Sequence, residues 1–132
     1  MVILLAEDDT SVRTLAALIL KEEHFCVLQA CNGEEALHLL HTDNEVDLLL
    51  TDIEMGDGIN GLELRSRVLT ERPGLPILVM SGFADNKSIA ETRDIPFLAK
   101  PFTIASLTQR IREMLVSRID PKAETRTLRM RR

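Results

Sequence analysis

The stretch DLLLTDIEMGDGING, residues 47–61, decides how the chain is read. Three consecutive leucines, Leu48 to Leu50, form an apolar run with no polar face. Such a run suits a strand covered on both sides, as in a parallel sheet. It ends in a carboxylate, Asp52, followed by Glu54 and then by Gly56, Gly58 and Gly61. Glycines let the backbone turn sharply just past the acid. A buried strand that delivers a carboxylate to its end and then turns away suggests a site at a sheet edge.

Working outward, four more short apolar runs recur: VILLA (2–6), VLQAC (27–31), PILVM (76–80) and PFLAK (96–100). The runs at 2–6, 48–50 and 77–80 are continuously apolar and are predicted as central strands. Helical periodicity lies between them. Thr10 is a plausible cap for a helix with Val12, Leu15, Ala16 and Ile19 on one face. Ala36, Leu37 and Leu40 repeat the pattern after Gly33, and Leu62, Leu64 and Val68 after Gly61. Ile104, Leu107, Ile111, Met114 and Leu115 form the cleanest stripe, with Thr103 as its cap. A strand-helix unit repeated five times predicts an α/β, doubly wound, five-stranded parallel sheet. The fourth helix is expected to be short or irregular, because ADNKSIAETRDIP (84–96) offers little apolar surface beyond Ile89 and Ala90. This tethered segment is expected to be the least protected part of the domain.

The bulk numbers fit one domain. The chain has 132 residues, 45% hydrophobic and 28% charged, with a net charge of −5. Residues 1–117 hold ten Lys/Arg against nineteen acids, which argues against nucleic-acid binding by the globular part. Residues 118–132, RIDPKAETRTLRMRR, hold six Lys/Arg against two acids and read as a basic C-terminal tail or linker. MVILLAEDD lacks the basic start of a signal peptide, and no apolar run suffices to cross a membrane, so a cytoplasmic location is expected. Cys26 and Cys31 fall on opposite faces of an expected strand and should not pair. His24, His38 and His41 lack acidic partners at ligand spacing and read as surface residues.

In an open parallel sheet, ligands bind beyond the carboxyl ends of the strands. The first strand delivers Glu7, Asp8 and Asp9 there, the third Asp52 and Glu54, the fourth Ser81, and the fifth Lys100 followed by Pro101. Clustered carboxylates repel unless a cation joins them, and oxygen-only ligands point to Mg²⁺ or a similar hard ion. Serine hydroxyl and lysine ammonium groups suit the remaining oxygens of a phosphoryl group, and an aspartate can be the nucleophile toward phosphorus.

With LLAEDD, LLLTDIEM, GLEL, ILVMSGFAD and FLAKPF in place, residues 1–117 resemble the receiver domain of two-component response regulators, a superfamily of flavodoxin-like, CheY-like domains. The resemblance to receivers of the hybrid-kinase or stand-alone type implies a phosphoacceptor domain, not an enzyme, with Asp52 taking a phosphoryl group from a sensor histidine kinase or a histidine phosphotransfer protein. It implies Mg²⁺, with Mn²⁺ as a substitute, held by Glu7, Asp8, Asp52 and the backbone carbonyl of Glu54. It makes Ser81 and Phe97 switch residues, Lys100 the bridge to phosphate, and the bond before Pro101 cis. Output is expected through the face built by the fourth helix, fifth strand and fifth helix, toward an output domain or protein. A homodimer formed on phosphorylation through that face stays open. Met55–Gly56 replaces the usual Met-Pro, and the loop to Gly61 is one residue longer than the commonest form, so that loop is expected to be more mobile. Two rivals stand beside this reading. Aspartate-nucleophile phosphatases of the haloacid dehalogenase type use similar residues, but with the nucleophile before the acidic pair. A pseudo-receiver would act without phosphate.

Overall fold

The computed structural model describes residues 1–42, 45–82 and 95–119, with side chains placed to residue 116. Among them are β1 (Val2–Ala6), α1 (Thr10–Glu22), β2 (Cys26–Ala30), α2 (Gly33–Thr42), β3 (Val46–Asp52), α3 (Gly61–Glu71), β4 (Ile77–Ser81), β5 (Phe97–Ala99) and a last helix, here α4 (Ile104–Ile119). The expected short helix between Ala84 and Pro96, with Phe83 before it, falls mostly outside the described residues, as does the tail from residue 120. The last helix continues two residues beyond Ser117.

All five strands are parallel, in the order β2-β1-β3-β4-β5. The three central strands are those whose sequence is continuously apolar. Alternate residues of each enter two separate cores. Leu4, Leu49 and Val79 pack with α2 and α3 on one face. Ile3, Leu5, Leu48, Leu50 and Leu78 pack with α1 and α4 on the other. The edge strands β2 and β5 are only partly covered, which matches their mixed composition.

The helix ends correct the sequence reading in several places. The cap of α1 is Asp9, not Thr10: its side chain accepts from the amides of Ser11 and Val12. The buried face of α1 is Ala16, Ala17, Ile19 and Leu20, whereas Leu15 is 52% exposed. Ile104 likewise stands 62% exposed at the start of α4, although the rest of that stripe packs inward. Thr103 does cap α4 through a reciprocal pair: the Ser106 amide donates to Thr103 Oγ1 and the Thr103 amide donates to Ser106 Oγ, each at 2.9 Å. At the end of α1, His24 takes φ 70° where glycine is usual. Its amide donates to Lys21 O and that of Phe25 to Leu20 O, closing the last turn. Both cysteines are free and exposed. His41 does have an acidic partner, Glu71, 2.7 Å away across the exposed α2–α3 seam.

Candidate functional site

β1 and β3 are neighbours from which the chain winds in opposite directions, so the crevice between their carboxyl ends is the topological switch point. Just past the end of β1 the Glu7 amide donates to Ala30 O at 3.0 Å, holding Glu7 in line with the strand. Arg13, from the first turns of α1, donates through Nη1 to Glu7 O at 2.8 Å and fixes this corner. β3 carries Asp52 to its last position, and the next amide, Ile53, donates to Met80 O. Ser81 ends β4 in register with Ala99. The Lys100 amide donates to Ser81 O at 2.7 Å, setting the lysine beside the serine.

These placements bring side chains from the ends of β1, β3 and β5 together, while Ser81 closes the neighbouring β4 at the same edge. Carboxylate oxygens of Glu7, Asp8 and Asp52 lie within 4.8 Å of one another. Lys100 Nζ donates to Glu7 Oε1 at 2.6 Å and sits 3.2 Å from Asp52 Oδ1. Glu7 is 0% exposed and Asp52 5%, whereas Asp8 faces solvent. Asp9, which the strand-end argument placed with this group, is spent on capping α1. The Glu54 side chain is exposed, just past the end of β3. Phe97 is half-buried at the start of β5, paired with Val79. The Lys100–Pro101 bond is cis.

Burial dominates the electrostatics. It pushes Glu7 up from 4.5 to about 7; the hydrogen bond from Lys100 opposes this and the neighbouring Asp52 adds to it. Asp52 is raised by burial too, partly offset by Glu7, Lys100 and the Ile53 amide. Burial alone would lower Lys100, but the two carboxylates outweigh it and hold the ammonium charged. Near neutral pH the Glu7 carboxyl therefore holds a proton part of the time.

Among the described residues, two buried oxygens at this edge, Glu7 Oε2 and Ser81 Oγ, have no hydrogen-bond partner. Buried polar atoms are nearly always satisfied, so orphans at the carboxyl edge of the sheet mark a place for another group. A carboxyl oxygen beside two further carboxylates fits a hard divalent cation once ionised, and a free hydroxyl fits an anion's oxygen. The donor set thus fits Mg²⁺.

Past Asp52 comes the loop from Ile53 to Asn60. It is tied down: the Gly61 amide donates to Ile53 O at 2.8 Å, and Met55 and Ile59 are buried. Gly56 and Gly58 take φ of 63° and 93°, which explains glycine at both. Gly61 has a different reason. A β-carbon there would lie 2.0 Å from Asp52 O, so the start of α3 presses directly on the strand end. Arg13, Glu34 and Ile59 were not singled out by the sequence reading. The one local signal was glycine in the first turn of α2, a poor helix residue whose presence suggests close packing.

A sheet in the order 2-1-3-4-5 with its acid, hydroxyl and ammonium groups at the carboxyl edge defines the flavodoxin-like α/β class. Within that class the chain belongs to the response regulator receiver domain family, whose description it matches over residues 3–112. It is 36% identical over 118 residues to the response regulator receiver protein CpdR of Brucella abortus, covering 87% of this chain and 97% of that protein. It is 30% identical over 120 residues to the sensor kinase CckA of the same organism, covering 86% of this chain but 12% of that protein. Among solved structures, a receiver protein from Sinorhizobium medicae superposes with a TM-score of 0.81 at 27% identity, covering 89% of this chain and 96% of that one. The receiver domain of the hybrid histidine kinase CckA superposes with a TM-score of 0.73 at 30% identity, covering 87% and 99%. Receivers are signalling domains that pair with histidine kinases. Among the described residues, no helix is long and apolar enough to cross a membrane.

Proposed function

We propose that this domain accepts a phosphoryl group on Asp52 from the phosphohistidine of a partner kinase or phosphotransfer protein. The observation that carries the reading is the convergence of Asp52, Glu7, Asp8 and Lys100 at the edge where Ser81 ends β4 with a hydroxyl that has no partner among the described residues. An Asp52 carboxylate oxygen attacks phosphorus; a P–O bond forms as the donor's N–P bond breaks, and the freed imidazole leaves with the partner. Lys100 neutralises the developing charge from its position against Asp52. The Ser81 hydroxyl donates to a phosphoryl oxygen. Glu7, Asp8, Asp52 and the Glu54 carbonyl would hold Mg²⁺, which when bound screens charge on the transferring group; Mn²⁺ suits the same oxygens. The domain then loses its phosphate slowly by hydrolysis.

Phosphorylation adds roughly −2 charge and three acceptor oxygens. In this reading Lys100 and Ser81 turn toward those oxygens and Phe97 follows, shifting the surface around β5 by a change of population. An output domain or protein, and a dimer formed through that surface, belong to the same proposal. So do a receiver unit ending near Ser117, a basic tail beyond it, and a cytoplasmic setting, which the free thiols support.

The test is exposure to acetyl phosphate with Mg²⁺. One base-labile phosphate per chain is expected, absent from Asp52→Asn. Repeated turnover of a phosphomonoester would instead favour a phosphatase, and no labelling at all a pseudo-receiver.

A further inference from the structure

The β3–α3 loop is held from outside by the start of α2. Ile59 lies against Gly33 so closely that a β-carbon on Gly33 would fall 2.3 Å from Ile59 Cγ1 and 3.3 Å from Ile59 O. The next residue, Glu34, accepts from the Ile59 amide through Oε1 at 3.3 Å. Its carboxylate also lies where a β-carbon on Gly58 would go, 2.8 Å from Oε1. The far side of the same loop meets the acidic cluster, because a β-carbon on Gly56 would lie 3.5 Å from Asp8 Oδ2. One short segment therefore links α2 to the oxygens proposed to hold the metal.

We infer that Gly33 and Glu34 are positioning residues for the metal site. Glu34 takes the Ile59 amide, Gly33 leaves room for the Ile59 side chain, and together they fix the backbone between Asp52 and Gly61. The two glycines of this loop at positive φ, Gly56 and Gly58, would otherwise give it freedom, and ordering it on metal binding would cost affinity. The inference rests on the proposed Mg²⁺ site and adds to it what sets that site's affinity.

Calorimetric Mg²⁺ titration of the intact chain tests it, alongside exchange of the Ile59 amide. Glu34→Ala should weaken Mg²⁺ binding about five-fold, the size expected for one lost hydrogen bond, and expose the Ile59 amide. Gly33→Ala should weaken it at least as much by displacing Ile59. Glu34→Gln keeps the acceptor without the charge and should bind nearly as the unaltered protein does. A purely structural role would lower the metal-free melting temperature of Glu34→Ala and leave Mg²⁺ affinity alone, which would overturn the inference. Equal weakening by Gln and Ala would overturn it too, since long-range charge would then be the cause. Unaltered protein that binds no Mg²⁺ would overturn both this inference and the site beneath it.

Discussion

The two sides of the carboxyl edge are built on opposite principles. On the β1–β3 side, two buried carboxylates are pushed together and held by one ammonium, Lys100. On the β4 side, a buried hydroxyl, Ser81, has no partner among the described residues. The first side is over-engaged and the second under-engaged. A phosphoryl group bound at this edge would gain most from the second side. It could draw Lys100 partly away from Glu7 while giving Ser81 the acceptor it lacks.

The largest effect should come from removing the cation that holds the two carboxylates together. Lys100→Met leaves Glu7 and Asp52 facing each other in a buried mouth. Breaking a buried pair typically costs about 3 kcal/mol. Denaturant unfolding at pH 8 without metal should show a loss of that order. The loss should shrink at pH 5, where Glu7 carries a proton. An equal loss at both pH values would mean that the lysine stem, not its charge, matters.

Next comes the pH dependence of the unaltered protein. Glu7 is raised from 4.5 to about 7, so the folded state binds its proton more tightly than the unfolded chain. That contribution to stability is complete below 4.5 and is lost as pH rises through about 7. The upward shift of Asp52 has the same sign. Lys100, also raised, stays charged in both states across this window. Metal-free protein should therefore lose on the order of 2 kcal/mol between pH 5 and pH 8. Saturating Mg²⁺ should flatten the slope, because the metal favours the ionised carboxylates. Stability that rises over this range would break the comparison on its acid side.

Ser81→Ala sharpens the other side. Deleting an unsatisfied buried hydroxyl should leave stability unchanged or raise it by up to about 1 kcal/mol. The same variant should accept phosphate from acetyl phosphate more slowly. A clear destabilisation would mean that Ser81 has a resting partner. The smallest effect is expected at Asp8, the one exposed carboxylate of the cluster. Asp8→Asn should shift metal-free stability by under about 0.5 kcal/mol and remove the stabilisation by Mg²⁺.

The contrast between buried and exposed positions also explains how much could be read from the sequence. The central strands were legible because continuous apolar runs have no other comfortable place than a doubly covered sheet. The four strand-end groups followed from strand direction, since parallel strands deliver their last residues to one edge. Helix faces were less legible. Leu15 and Ile104 fit an apolar stripe by spacing, yet α1 turns Ala16, Ala17, Ile19 and Leu20 inward instead. Periodicity gives a stripe's width and not its centre. The cap of α1 was missed by one residue because Asp9 and Thr10 are both good caps. The tie between Glu34 and Ile59 spans 25 residues and has no local pattern beyond a glycine out of place.

The central claim is that Asp52 takes the phosphoryl group. Borohydride reduces an aspartyl phosphate to homoserine, and peptide mass spectrometry then places the change on a single residue. After incubation with acetyl phosphate and Mg²⁺, homoserine is expected at position 52 alone, at up to one per chain, and nowhere in Asp52→Asn. Homoserine at Asp8 or another acid at an equal rate, with position 52 unmodified, would contradict the account.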